Sequence, residues 1–172
     1  MEQTTESSLD FKKQSVLYGL AFGLYSSLLM YLGYKLEFDT SAYYRIINYI
    51  FAIGIIFYAI NEYKKLNSDF LKLKDALKIG LIIGLIGGLI YGIYTYFHLN
   101  FINQEFLKDV VNVIKASEDY QGREMTEDQI KETKQIAISF MGSPFFYLTL
   151  NLIGSLFQAF IISLIVGLIK KK

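Results

Sequence analysis

Four stretches without a formal charge, 15–34, 46–60, 79–97 and 145–169, alternate along the chain with segments rich in Lys, Arg, Asp and Glu. All 17 Lys and Arg and all 16 Asp and Glu fall outside those stretches. The hydrocarbon core of a bilayer is about 30 Å thick and takes roughly 20 apolar residues of helix, because backbone polar groups there must be satisfied within the segment. The first, third and fourth stretches meet that requirement. The second is shorter, and Ala42, Tyr43 and Tyr44 lengthen it if Arg45 extends its guanidinium toward the headgroups. The pattern predicts an all-α polytopic membrane protein. Its single four-span domain covers 1–172, with transmembrane helices at about 15–34, 43–60, 79–98 and 145–169 packed as a bundle. A disordered chain, a collagen-like repeat and an ordinary soluble domain are excluded. The first stretch is longer than the apolar region of a secretory leader and no A-x-A site follows it, which points to a retained signal-anchor helix.

The remaining long segment, 99–144, carries five basic and eight acidic side chains. Asn103 can cap a helix running to about Ala116, with Glu105 near its positive end and Phe106, Val110, Val113 and Ile114 on one face. Gly122 breaks the pattern. Thr126 and Gln129 then have the spacing of a capping box for a second helix to about Phe140, with Ile130, Ala137 and Phe140 at helical intervals. Met141, Gly142, Ser143 and the only proline, Pro144, make the turn into the last span. The expectation is an extramembrane helical hairpin over about 103–140, either a solvated cap or a surface for a ligand or partner.

Lys12, Lys13, Lys64, Lys65, Lys72, Lys74, Lys78, Lys170, Lys171 and Lys172 crowd the two tails and the second loop. By the positive-inside rule both termini are expected in the cytoplasm and 99–144 on the opposite face. With 14 Tyr and no Trp, the interfacial aromatics are Tyr34, Tyr43, Tyr44, Tyr94, Tyr96 and Tyr147.

Small residues recur every fourth position in three spans. The third carries Gly80, Gly84, Gly88 and Gly92, with Gly87 beside them; the fourth carries Ser155, Ala159, Ser163 and Gly167; the first carries Gly19, Gly23 and Ser27. Lipid supplies no hydrophobic gradient between helices, so close backbone approach along such stripes provides van der Waals contact instead. Spacing does not distinguish a partner helix in the same chain from one in a second copy. The uncharged polar groups within the spans are Gln158, Asn151, Thr95 and Asn48, expected to serve as interhelical hydrogen-bonding groups before substrate contacts.

The chemistry that can be read is mostly negative. Pumps, proton-coupled transporters and voltage sensors keep a charge at membrane depth, and these stretches hold none. With no Cys and one His, His98, the chain offers neither a thiolate site nor a multi-histidine metal site; His98 is expected as a polar tip at the membrane interface. No nucleophile elbow, Walker loop, H-E-x-x-H or calcium loop occurs. No enzyme activity, cofactor, metal or nucleic-acid partner is expected.

The run LKDALKIGLIIGLIGGLIYGIYTY at 73–96 and Phe101-Ile102-Asn103 with Glu105-Phe106-Leu107 resemble the domain of unknown function 4199 family. So do the stretch 125–130, MTEDQI, and the ending from Gly154-Ser155-Leu156 to Gly167-Leu168-Ile169-Lys170-Lys171. The similarity runs through nearly the whole chain. It departs at Gln104, where members often have Pro. The resemblance implies a four-span inner-membrane protein of Bacteroidetes-type bacteria with 99–144 in the periplasm, and it implies no activity. The leading expectation is a non-enzymatic structural, accessory or partner-binding component in the bilayer, self-associating or bound to an unidentified membrane protein. A small transporter or channel component for an uncharged or amphipathic solute is the alternative.

Overall fold

The computed structural model describes residues 2–37, 42–116 and 126–171. Among these the regular structure is entirely helical: α1 Glu2–Lys35, α2 Ala42–Leu66, α3 Leu73–Phe97, α4 Gln104–Ala116, α5 Glu127–Met141 and α6 Pro144–Lys170, with a π-helical turn, His98–Ile102, after α3. Four helices are long and apolar enough to cross a bilayer, over Lys12–Lys35, Ile46–Leu66, Leu73–Ile102 and Pro144–Lys170. Each helix outruns its uncharged stretch, because a backbone ladder begun in lipid continues through charged residues once solvent or headgroups receive their side chains. The proposed break at Gly122 and the side chain of Arg45 lie outside the described residues.

The chain divides into two compact units, 1–91 with 151–172, and 92–150. In the first, α1, α2, most of α3 and most of α6 surround a core of Phe22, Ala52, Ile56, Ala59, Ile60, Leu71, Ala76, Ile79, Ile83, Ala159, Ile162 and Val166. Large apolar side chains such as Leu24, Leu28, Ile50, Ile53, Leu85, Phe157 and Ile165 point outward. An outward apolar surface is the inverse of a soluble fold and is what a lipid environment requires.

The second unit holds the end of α3, the π-helical turn, α4, α5 and the start of α6. Its helix starts follow local chemistry. Asn103 Oδ1 accepts the Phe106 backbone N–H at 3.2 Å ahead of α4. Thr126 and Gln129 exchange bonds ahead of α5: the Gln129 N–H donates to the Thr126 hydroxyl at 3.3 Å, and the Thr126 N–H donates to Gln129 Oε1 at 2.9 Å. At the far end of α5, the Gly142 N–H donates to the Ile138 carbonyl at 2.9 Å. Pro144 opens α6, a position where its missing N–H leaves no helical bond unmade. The α4 and α5 helices meet where the Lys134 ammonium donates to the Lys115 carbonyl at 3.1 Å.

Candidate functional site

The small-residue stripes converge on α3. A methyl group added at Gly80 would stand 2.4 Å from Ser163 Cβ, one at Gly84 2.6 Å from Ala159 Cβ, and one at Gly88 2.8 Å from Ser155 Cβ, all on α6. Such positions would also meet backbone, with Ala159 O and Ser155 O each 2.9 Å from the methyls at Gly80 and Gly84. Gly167 continues the seam against Leu73 and Ala76. In the second unit, Gly92 meets the Leu148 carbonyl at 2.9 Å from its would-be Cβ. The stripe of α3 and that of α6 are therefore two halves of one contact within the chain.

An adjacent face of α3 takes α1. A Cβ on Gly87 would lie 2.4 Å from a Phe22 ring carbon and 3.1 Å from the Gly19 carbonyl. Conversely, Gly19 is closed by Ile86 and Gly23 by Ile90 and the Gly87 carbonyl. Ser27 does not cross to a neighbour: its hydroxyl donates back to the Gly23 carbonyl at 2.8 Å. Two buried serines, Ser15 and Ser26, extend the small-residue side of α1 beyond the three positions read from sequence. Ser15 continues the fourfold register of Gly19 and Gly23 and was legible there; Ser26 falls out of register. Gly54 and Gly154 differ from all of these, because nothing lies within 4 Å of a Cβ built on either.

The uncharged polar groups divide. Thr95 is buried and engaged. Asn151 is half-buried and also engaged, and Gln158 is half-buried on the same helix. Asn48 Oδ1 and Ser26 Oγ are buried without a hydrogen-bond partner. Buried polar atoms in proteins are nearly always paired, which makes these two anomalous among the described residues.

Polar contacts tie the helices where α2 turns into α3. The Tyr18 hydroxyl of α1 donates to Glu62 Oε2 of α2, and the Tyr18 and Tyr58 rings meet edge-on with centroids 5.9 Å apart. Tyr63 of α2 is hydrogen-bonded to Asp75 of α3. The Lys64 ammonium donates to the Lys170 carbonyl at 3.1 Å, and the Lys170 ammonium stands 4.9 Å from the Phe57 ring centroid. The Glu62 carboxylate is thus an acceptor between helices.

His98 overturns an expectation. It is 1% exposed, not an interfacial tip, and its Nδ1 lies 3.2 Å from the Tyr94 hydroxyl. The π-helical turn carries the ring inward, and Tyr94, one helical turn earlier, supplies a polar partner that makes burial of an imidazole tolerable. Tyr147, another expected interfacial ring, packs on Phe106 with centroids 5.4 Å apart. An open groove of about 360 Å³ runs along α4, lined by Leu107, Lys108, Val111, Asn112, Lys115 and Gly142. Among the described residues no group of three or more His, Asp or Glu could hold a metal ion.

Four helices apolar and long enough to cross a bilayer, three of them meeting along small-residue seams, define a multi-pass membrane protein in contact with the lipid bilayer. The chain belongs to the family of proteins of unknown function DUF4199, whose pattern it matches over residues 17–172. No match was found among curated proteins or among solved structures.

Proposed function

We propose that this chain is a non-enzymatic component of a bacterial inner membrane, structural or accessory in role, whose bundle is a rigid support for the segment between α3 and α6. In this reading both termini and the α2–α3 turn are cytoplasmic, and the α4–α5 segment presents a surface to a periplasmic partner. The carrying observation is that glycines on two faces of α3 are closed by α1 and α6 at backbone distance, a construction suited to holding a shape. The test is to purify the tagged chain and its Gly84→Leu/Gly88→Leu variant from native membranes in mild detergent, then determine particle mass and co-purifying proteins. A stoichiometric second protein, lost with the double variant, is the expected result. Unchanged thermal stability and particle mass in the variant would overturn the packing basis of the reading.

A second reading, a transport component for an uncharged or amphipathic solute, is favoured by one observation: the unpartnered Ser26 hydroxyl and Asn48 carbonyl within the bundle. It requires solute flux in proteoliposomes that falls on Ser26→Ala or Asn48→Ala substitution. No flux across a panel of neutral solutes would remove it.

A further inference from the structure

The amphipathic helices of the second unit carry more apolar surface than that unit covers. No residue of α4 or α5 is buried. On α4, Phe106, Leu107, Val110, Val111, Val113 and Ile114 occupy one side, opposite Glu105, Lys108, Asp109, Asn112 and Lys115. Val113 is nonetheless 68% exposed. On α5, the half-buried positions Ile130, Ala137 and Ile138 take the inward side, while Ile136 and Phe140, one turn apart, point outward, with Phe140 62% exposed.

The charge pattern says what this surface meets. Every charged residue of α5 lies in its first half, Glu127 to Lys134, and no formal charge follows from 135 to 169. That run is far longer than the roughly 20 residues a helix needs to cross hydrocarbon. Because α6 begins at Pro144, the surplus falls on the last turns of α5. The same holds beyond α3, where 79–104 is free of formal charge through the π-helical turn. There the exposed rings of Phe97 and Phe101 stack with centroids 6.0 Å apart. Across the Gly142-Ser143-Pro144 turn, exposed Phe140 and Met141 lead directly to exposed Phe145 on the membrane-spanning helix. The uncharged runs of both spans thus continue in sequence into the segments that flank the pair.

We propose that α4 and α5 lie in the interfacial layer of the bilayer, with Phe106, Val113, Ile136 and Phe140 against lipid and the charged sides facing water. A helix with one wide apolar side and one charged side is the form that settles at this depth, and lysines flanking the apolar side can extend to the headgroups. The occupant of the face is lipid, and the polar side stays open to a partner.

The chain has no Trp, so a single introduced indole reports one position. The full chain carrying Phe140→Trp or Val113→Trp, with Lys131→Trp and Asn112→Trp as water-side controls, is reconstituted into phosphatidylcholine vesicles with plain or brominated acyl chains. Brominated lipid is expected to lower the emission of the first two by about twofold or more while iodide in the buffer has little effect, with the reverse for the controls. Iodide quenching of positions 140 and 113 without bromine quenching would make the pair a solvated cap and overturn the proposal. Quenching by neither agent would mean that protein, a second copy or a partner, covers the face, and would overturn it equally. Gel filtration and circular dichroism check each variant's fold, and Ile136→Trp reports the same face should Phe140→Trp not assemble.

Discussion

At Gly84 a methyl group would sit 2.6 Å from Ala159 Cβ and 2.9 Å from the Ser155 carbonyl, while at Gly154 it would meet nothing within 4 Å. Two glycines in membrane-spanning helices therefore respond in opposite directions to the same substitution. Gly84→Ala is expected to destabilise the bundle by about 1–3 kcal/mol, because one of two backbones must retreat. Gly154→Ala is expected to be neutral or to stabilise by up to about 1 kcal/mol, since it restricts the unfolded chain and favours helix without a clash. Thermal unfolding in detergent, followed by far-ultraviolet circular dichroism, measures both. The Tyr18–Glu62 bond makes a third case. Tyr18→Phe is expected to cost about 1 kcal/mol, and the same substitution in a Glu62→Gln background to cost less, because a neutral amide oxygen is a weaker acceptor than a carboxylate. Equal costs in the two backgrounds would show that the charge of the acceptor adds nothing to the bond.

The helices were largely legible where their cause is local. Asn103, Thr126 and Gln129 announce their helix starts by side-chain chemistry within a single turn, and the structure places α4 and α5 beside them. The stripes were legible as spacing, yet spacing could not pair Gly80, Gly84 and Gly88 with Ser163, Ala159 and Ser155, because that match joins positions far apart in the chain. Tyr18–Glu62, whose partners stand 44 positions apart, was hidden for the same reason. The π-helical turn at His98–Ile102 was hidden too, since no residue type demands it, and with it the burial of His98. A prediction at this scale concerns the capping box. Thr126→Ala is expected to cost about 1 kcal/mol, felt locally. Hydrogen exchange at the amides of Asp128, Gln129 and Ile130 should accelerate while that of the α6 interior stays unchanged; equal acceleration in both would mean that α5 and the bundle unfold as one.

For the molecule as a whole, α3 is the helix on which the first unit depends, since one of its faces receives α6 and the adjacent face receives α1. Gly84→Leu/Gly88→Leu should therefore open the seam along its length. The expected outcome is a loss of thermal stability well beyond that of Gly84→Ala, accompanied by an altered particle mass in mild detergent. A doubly substituted protein that keeps the wild-type mass and melting point would mean that the seam does not hold the fold. The open positions Gly54 and Gly154 provide the contrast, because leucine at either adds bulk to a face that no neighbour of the chain covers. If those two variants alter particle mass while stability stays level, the outer faces of α2 and α6 belong to an assembly contact.

The pairing of Gly84 with Ala159 also orders events during synthesis. The glycine face of α3 is synthesised early, but the helix that closes it, α6, follows only after α4 and α5. Until then α3 presents a nearly bare strip of backbone to lipid or to whatever chaperone occupies the insertion site. A ribosome stalled before α6 leaves an unfinished protein whose defect is a missing helix, the kind of lesion a membrane protease recognises. Degradation of chains truncated ahead of Pro144 should accordingly be rapid, and docking of α6 on α3 should slow it.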